Sequence, residues 1–345
     1  MLECRAWVLE GPDDLSLRSF HLERSGGLLK IEAVGLCGTD VHAVRGRLPL
    51  SYPLVLGHEA VGRIFDPTDE PESKNRDTRF ILAPTRACQH CEACLAATPT
   101  RCSSRKTYGF DFDFSCAPYG AFSDYLALLP GFRLVPVPES LPTEVAVLAE
   151  PLACALSALR RAASVWPLAG ARMAILGAGP VGLLMAIAAE VLGARVTVFE
   201  RASARRKLAS QLGLNANDPA DAACCEGKMD HVIDCAGSNA AVEQALRLAH
   251  RGGVVVVFGS FAVTSAIALS PSTICNRELS VLGASTTYME DYTIALRLLD
   301  WHVSRFGPVV THRLAMFETT SLKAALDLME SGECGKICLM PTVPN

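Results

Sequence analysis

The sequence predicts an α/β protein of two domains, a β-rich domain followed by a doubly wound parallel sheet. The chain is 345 residues long, which corresponds to about two domains at ~150 residues apiece. Its first third shows the two-residue apolar period of strands, and from residue 172 short apolar runs alternate with longer amphipathic ones. That second rhythm belongs to strands joined by helical crossovers, and so to a parallel sheet.

Taken in order, LLKIEAVGL from 28 alternates like a half-buried strand, and LVLGHEAVGRIF from 54 reads as one further strand carrying a Gly-His-Glu corner. The stretch DPTDEPESKNRDTR from 66 is polar and Pro-interrupted, so an exposed loop is expected there. At PLACALSALRRA the pattern turns helical, with Pro151 at the first helical position. Strands are then expected at RMAIL (172), RVTVF (195), HVIDCA (231), VVVVFG (254) and SVLGAS (280). Helices are expected at PVGLLMAIAAEVLG (180), SARRKLASQLG (203) and NAAVEQALRLAH (239). The tail contains DYTIALRLLDW and SLKAALDLME, amphipathic segments with no sheet of their own, and is expected to return to the first domain. The expected division is 1–151, 152–287 and 288–345.

Half of the residues are hydrophobic, a fifth are charged and the net charge is -4, so there is no basic footprint for nucleic acid. A small molecule is the expected partner. The N-terminal MLECRAWVLEGPDDL is broken by Glu3, Arg5 and Glu10 and lacks the apolar core of an export signal, which points to a cytoplasmic protein. The longest apolar runs fall short of the ~18 residues that span a bilayer, so no membrane segment is expected. In a reducing compartment the 14 cysteines stay free, and a tight cluster of them points to a metal.

The segment LGAGPVG places Gly177, Gly179 and Gly182 directly after a predicted strand, with Pro180 and Val181 opening a predicted helix. This is the dinucleotide fingerprint: the glycines let backbone approach a pyrophosphate, which the free N–H groups of the helix start then hold. Glu200 ends the next strand, where a carboxylate accepts ribose hydroxyls and repels a 2′-phosphate, favouring NAD over NADP. Arg201, Arg205 and Arg206 follow at once and offer the opposite reading, a phosphate site. A ligand-free tight turn is the bland alternative.

Cys88, Cys91, Cys94 and Cys102 follow Cys-x2-Cys-x2-Cys-x7-Cys, a spacing that wraps four thiolates around one tetrahedral zinc. Four ligands close the sphere, so the cluster suits a structural ion. A reactive metal then needs other donors, and CGTDVH (37–42), GHE (57–59) and Glu150 supply candidates. Taken singly, each has a plainer reading: a small core cysteine, a hydrogen-bonded histidine, an acid at a helix start.

The motifs CGTDVH, LGHEAVG, the four-cysteine segment, YGAFSDYL, EPLACALSAL, LGAGPVGLL and GKICLMP occur in one order over nearly the whole chain. In this the chain resembles the zinc-containing medium-chain alcohol dehydrogenase family, and within it the polyol (sorbitol-type) branch. The resemblance implies a GroES-like β-rich catalytic domain completed by the C-terminal tail, a Rossmann domain between, and an active cleft where they meet. It implies two zinc ions per chain, the catalytic one held by Cys37, His58 and Glu150 with Glu59 as an exchanging or neighbouring partner. It further implies Thr39 as acceptor of the alcohol proton, His42 as its relay, NAD as oxidant, and a secondary alcohol (polyol, cyclitol or related sugar alcohol) or its ketone as substrate. Relatives of this kind form dimers and tetramers by joining Rossmann sheets edge to edge, with SVLGAS the matching strand here. A catalytically inactive nucleotide-binding relative is the alternative.

Two departures point away from sorbitol itself. The segment YGFDFDFSCAP (108–118) is aromatic, so that Phe110, Phe112 and Tyr119 either wall a pocket or pack the lobe. Thr286 and Thr287 stand where the branch tends to place an arginine and a tyrosine. The other nine cysteines, Cys224, Cys225 and Cys235 among them, show no ligand spacing and are expected to be packing or surface thiols.

Overall fold

The first strand, Leu2–Gly11, pairs antiparallel with Asp14–Leu22 on one side and with Leu54–Val55 on the other. In the computed structural model the described residues are 2–22, 27–65, 77–114, 117–261, 265–318 and 320–342. The loop expected from 66 therefore lies, up to residue 76, outside the described residues, as do positions 115 and 116 of the aromatic segment. A seven-stranded sheet stands beside the first, in the order Arg133–Pro136, Arg79–Ala83, Glu59–Phe65, Leu28–Leu36, Lys336–Met340, Val310–Ala315, with Tyr125–Ala127 also on Leu28–Leu36. Two strands of that sheet come from the tail: Lys336–Met340 is antiparallel to Leu28–Leu36 and parallel to Val310–Ala315. Trp7 adds a second tie, its Nε1 donating to the Met316 carbonyl at 2.7 Å.

One strand expectation is corrected here. The run from 54 is two strands in two sheets, Leu54–Val55 and Glu59–Phe65, separated by Leu56, Gly57 and His58. Gly57 has φ +95°, a left-handed conformation open to glycine, and a Cβ there would lie 2.8 Å from the Phe122 ring. The turn sends the chain from one sheet to the other and leaves His58 at the corner.

The second architecture is a six-stranded parallel sheet in the order Ala216–Asn217, Arg195–Phe199, Arg172–Leu176, Met229–Asp234, Ala249–Val257, Ser280–Gly283. Numbered along the chain this is 3-2-1-4-5-6, the doubly wound dinucleotide order. The crossover helices Pro180–Val191, Ser203–Gln211 and Asn239–Leu248 lie where the sequence placed them. Their buried alanines and leucines (Leu183, Leu184, Ala186, Ala188) press on a strand layer of Met173, Ile175, Val198 and Ile233. Ser280–Gly283 is the outer strand, and its Val281 is exposed.

The helix Ala149–Ala163 runs through position 151 without a break and packs along Met289–Trp301. Pro151 is its third residue, not its first; the first-turn N–H groups of a helix have no partner anyway, so proline costs no hydrogen bond there. Among the described residues no helix is long and apolar enough to cross a membrane.

Candidate active site

The glycine loop is built as its sequence requires. A Cβ on Gly182 would meet the Gly177 carbonyl oxygen at 2.0 Å, and Gly177, at φ +105°, would set one 3.1 Å from the Ala236 nitrogen. Gly179 has nothing within 4 Å of its Cβ direction, so this side of the loop is open. Gly179 also begins helix Pro180–Val191 without any side-chain cap, which leaves the first-turn N–H groups free for an anion. Both carboxylate oxygens of Glu200 accept backbone amides, from Ala178 and from Ala202, each at 2.8 Å. Arg206 turns to the Glu200 and Arg201 carbonyls and to Asp218, while Arg205 donates to the Met329 carbonyl at 3.3 Å. Arg201 is exposed. The three arginines thus do not converge on the Glu200 carboxylate.

Cys37, His58 and Glu59 come together from separate elements, one donor atom of each lying within 4.8 Å of the others. Cys37 caps the helix Gly38–Val44, with Asp40 returning a carboxylate to the Cys37 amide at 2.9 Å. His58 stands at the corner made by Gly57, and its Nδ1 faces Asp40 Oδ1 at 3.5 Å. Burial opposes a charge on His58, but Asp40 and Cys37 outweigh it and hold its pKa above the ordinary imidazole range. Among the described residues, Asp40 Oδ1 and His58 Nδ1 are buried and without hydrogen-bond partners. Orphaned donors and acceptors around a thiol and a carboxylate suit a bound cation, and this mixed S, N and O set fits zinc with a position left for substrate.

The grouping differs from the trio that the resemblance implied. Glu150, in the first turn of Ala149–Ala163, stands outside the 4.8 Å set, and its Oε1 accepts from the Cys154 thiol one turn along the helix at 3.4 Å. Burial pushes the Glu150 carboxyl above the ordinary range, with His58 opposing and Glu59 adding to the shift. Glu59 is close to Cys37 and His58 but is itself tied to Lys336, whose Nζ lies 2.7 Å from both its oxygens.

All these groups line one cleft of about 710 Å³, which also takes in Thr39, His42, Gly179, Pro180, Val181, Gly182 and Arg205. Thr39 Oγ1 is 3.5 Å from Cys37 Sγ, and His42 is one helical turn further on the same face. Arg47 Nη1 approaches His42 Nδ1 at 3.4 Å; guanidinium only donates, so that nitrogen is the acceptor. The aromatic segment divides. Phe110 lines the cleft with its ring 5.1 Å from that of His58, whereas Phe112 packs among Tyr108, Tyr119 and Phe132. Thr286 and Thr287 line the cleft too.

Cys88, Cys91, Cys94 and Cys102 form a second donor set, all free and within the same 4.8 Å limit. The Sγ atoms of Cys88 and Cys94 are 3.9 Å apart, and those of Cys91 and Cys94 are 3.5 Å apart. A tetrahedron with zinc–sulfur bonds of ~2.3 Å has edges of about 3.8 Å, so the cage has the size that zinc requires. N–H groups of His90 and Cys91 draw the Cys88 pKa down to about 6, which favours a thiolate there at neutral pH.

Several site residues escaped the sequence reading. Asp40 and Lys336 lay inside quoted motifs, and a buried lysine is itself a signal that an acid partner waits elsewhere. Cys154 and Cys235, which show no ligand spacing in the sequence, line the cleft.

Fold and donor sets together define a nucleotide-binding α/β protein with two places built for a metal. Family models described as "Alcohol dehydrogenase GroES-like domain" and "Zinc-binding dehydrogenase" match residues 25–139 and 180–301. The chain is 33% identical to L-galactonate-5-dehydrogenase of Escherichia coli (strain K12) over 83% of each chain, and 28% identical to D-arabinitol dehydrogenase 1 of Uromyces fabae over 97% of each. Among solved structures, an alcohol dehydrogenase from Thermotoga maritima superposes with a TM-score of 0.86 at 26% identity, over 99% of this chain and 100% of that one. This chain belongs to the zinc-containing medium-chain alcohol dehydrogenase family, in its polyol dehydrogenase branch.

Proposed function

We propose that the chain oxidises a secondary alcohol of the sugar-alcohol type with NAD, or reduces the corresponding ketone. The observation that carries this reading is the juxtaposition, in one cleft, of the Cys37–His58–Glu59 donors with residues 179–182 of the glycine loop. A zinc ion held by Cys37, His58 and Glu59 would supply a Lewis acid that favours loss of the alcohol proton, and a second held by Cys88, Cys91, Cys94 and Cys102 would brace the lobe.

The protein's own groups then do the following. Cys37, His58 and Glu59 present their donor atoms, and Glu150 lines the same cleft. Thr39 Oγ1 accepts the alcohol proton, and His42 carries it outward through the ribose hydroxyl, since a neutral imidazole nitrogen both accepts and releases protons near pH 7. The glycine loop and the start of helix Pro180–Val191 would hold the pyrophosphate of a nicotinamide cofactor, which would supply the hydride acceptor. Glu200 keeps lone pairs for the adenosine ribose and excludes a 2′-phosphate; the turning-away of Arg205 and Arg206 supports NAD over NADP. The names of the two relatives, one an aldonate enzyme and one a pentitol enzyme, both denote oxidation at a sugar-derived alcohol. The inactive alternative finds no support, because relay and donor residues are all in place in the cleft.

The test is an NADH-absorbance assay across polyols, cyclitols and sugar acids, with Cys37→Ala and His58→Ala as controls. Both variants are expected to lose turnover while still binding NAD; turnover at the parental rate in either would overturn the reading.

A further inference from the structure

Cys224 and Cys225 stand outside both donor sets. Their Sγ atoms are 3.6 Å apart, and among the described residues the other close sulfur pairs belong to the four-cysteine cage. Cys224 is exposed, while Cys225 is half-buried against the apolar cluster of Ala222, Leu246 and Leu248. The pair ends the 3-10 helix Pro219–Cys225, which is fixed at its start. There Asp218 accepts the Ala220 amide at 3.0 Å and pairs with Arg206 at 2.9 Å, and Gln244 Nε2 donates to the Pro219 carbonyl at 3.0 Å. The Cys224 thiol itself donates to the Asp221 carbonyl at 3.2 Å.

Joining these sulfurs to each other is unfavourable. Consecutive Cα atoms lie ~3.8 Å apart across a trans peptide, short of the ~4.4–6.8 Å that a relaxed disulfide spans, so a bridge between neighbours is strained and readily reduced. A divalent metal ion is poorly served as well. No third His, Cys, Asp or Glu donor joins the pair within 4.8 Å among the described residues, and the Lys228 ammonium, 2.7 Å from the Cys224 carbonyl, disfavours a second cation. Burial and the neighbouring Cys224 raise the Cys225 pKa, with Lys228 opposing, so that this sulfur keeps its proton at neutral pH. Two protonated thiols without further donors suit an uncharged soft centre that takes two sulfurs and gives up water. With bonds of ~2.3 Å, the 3.6 Å separation corresponds to an angle of about 100° at that centre, as in a pyramidal three-coordinate atom.

We propose that Cys224 and Cys225 form a chelating site for a mono-substituted trivalent arsenical, RAs(OH)2, separate from the cleft and from both zinc donor sets. Two As–OH and two S–H bonds break, two As–S bonds form and two water molecules leave. Arsenic stays trivalent and nothing is oxidised.

The test titrates the zinc-loaded full chain with phenylarsine oxide, which hydrates to the dihydroxide, while free thiols are counted with a chromogenic disulfide and released zinc with an indicator dye. About one equivalent is expected to bind, removing two thiols from the count and releasing no zinc. 2,3-Dimercaptopropanol should reverse the binding, and a monothiol at equal sulfur concentration should not. Cys224→Ser and Cys225→Ser should each weaken binding by at least about a hundredfold, because one bond then replaces a chelate. Cys154→Ser and Cys235→Ser in the cleft, and the exposed Cys275→Ser, should bind as the parent does. Undiminished binding in either variant of the pair, loss of binding in a cleft variant, or zinc release matched to uptake would each overturn the proposal.

Discussion

Lys336 and Glu59 form a two-pronged ion pair, Nζ 2.7 Å from each carboxylate oxygen, with both residues only 1% exposed. They lie 277 positions apart, one on the last strand of the tail and one directly after His58. Burial pulls the Lys336 pKa down, but Glu59 outweighs it and the ammonium is held charged. Removing one partner leaves the other as an uncompensated buried charge. Lys336→Met is accordingly expected to cost about 3–5 kcal/mol of unfolding free energy. The double variant Lys336→Met, Glu59→Gln should lose clearly less than the sum of the two single changes. Urea unfolding of the four proteins makes the comparison, and additive losses would refute the coupling.

The pH dependence of turnover should follow Arg47. Burial lowers the His42 pKa, Arg47 lowers it further, and Glu330 opposes them. A relay histidine accepts protons only when neutral, so a lowered pKa extends activity to lower pH, and kcat/KM should fall only below the ordinary imidazole range. Arg47→Gln removes one lowering influence and leaves Glu330 acting, so the acid limb should move to higher pH. His42→Ala should abolish that limb. A pH–rate profile that keeps it in His42→Ala would rule out the relay.

How much of this was legible in the chain follows sequence distance. The glycine loop and the four-cysteine cage are local patterns, so spacing alone located them, and the strand–helix alternation placed the parallel sheet. Cys37, His58, Glu59 and Glu150 could be assembled only through family resemblance, because Gly57 and the helix starting at Ala149 bring them into one cleft. The rest depended on which partner each side chain meets across the fold. No local pattern says that Lys336 meets Glu59 or that Trp7 reaches the Met316 carbonyl. For the same reason the run from 54 misled: alternation continues through Gly57, and only the positive φ reveals that two sheets meet there.

Cofactor choice should turn on Glu200. Its oxygens accept two backbone amides at 2.8 Å, which fix the carboxylate with lone pairs to spare for ribose. Glu200→Ala removes both the hydrogen-bond acceptor and the repulsion toward a 2′-phosphate. The ratio of kcat/KM for NAD over NADP is expected to drop by about tenfold or more, as loss of a charge-assisted hydrogen bond implies. Steady-state assays with each cofactor measure it, and an unchanged ratio would show that Glu200 does not discriminate.

The four-cysteine lobe should depend on its metal for order. Its helix Glu92–Leu95 buries no residue, and Leu95 is 76% exposed, so little apolar surface holds it. A coordinated ion is the remaining source of stability, and the lobe reaches the cleft loop through Thr100 Oγ1, 3.1 Å from the Tyr288 hydroxyl. Cys94→Ser should therefore lower the metal content from about two ions per chain to about one, since three thiolates and a weaker hydroxyl no longer close the tetrahedron. It should also lower the melting temperature by roughly 4 °C, on the order of 3 kcal/mol for a chain of this size. Metal analysis paired with calorimetry gives both numbers; a variant that keeps its second ion and its melting temperature would show that the cage is held together by protein contacts alone.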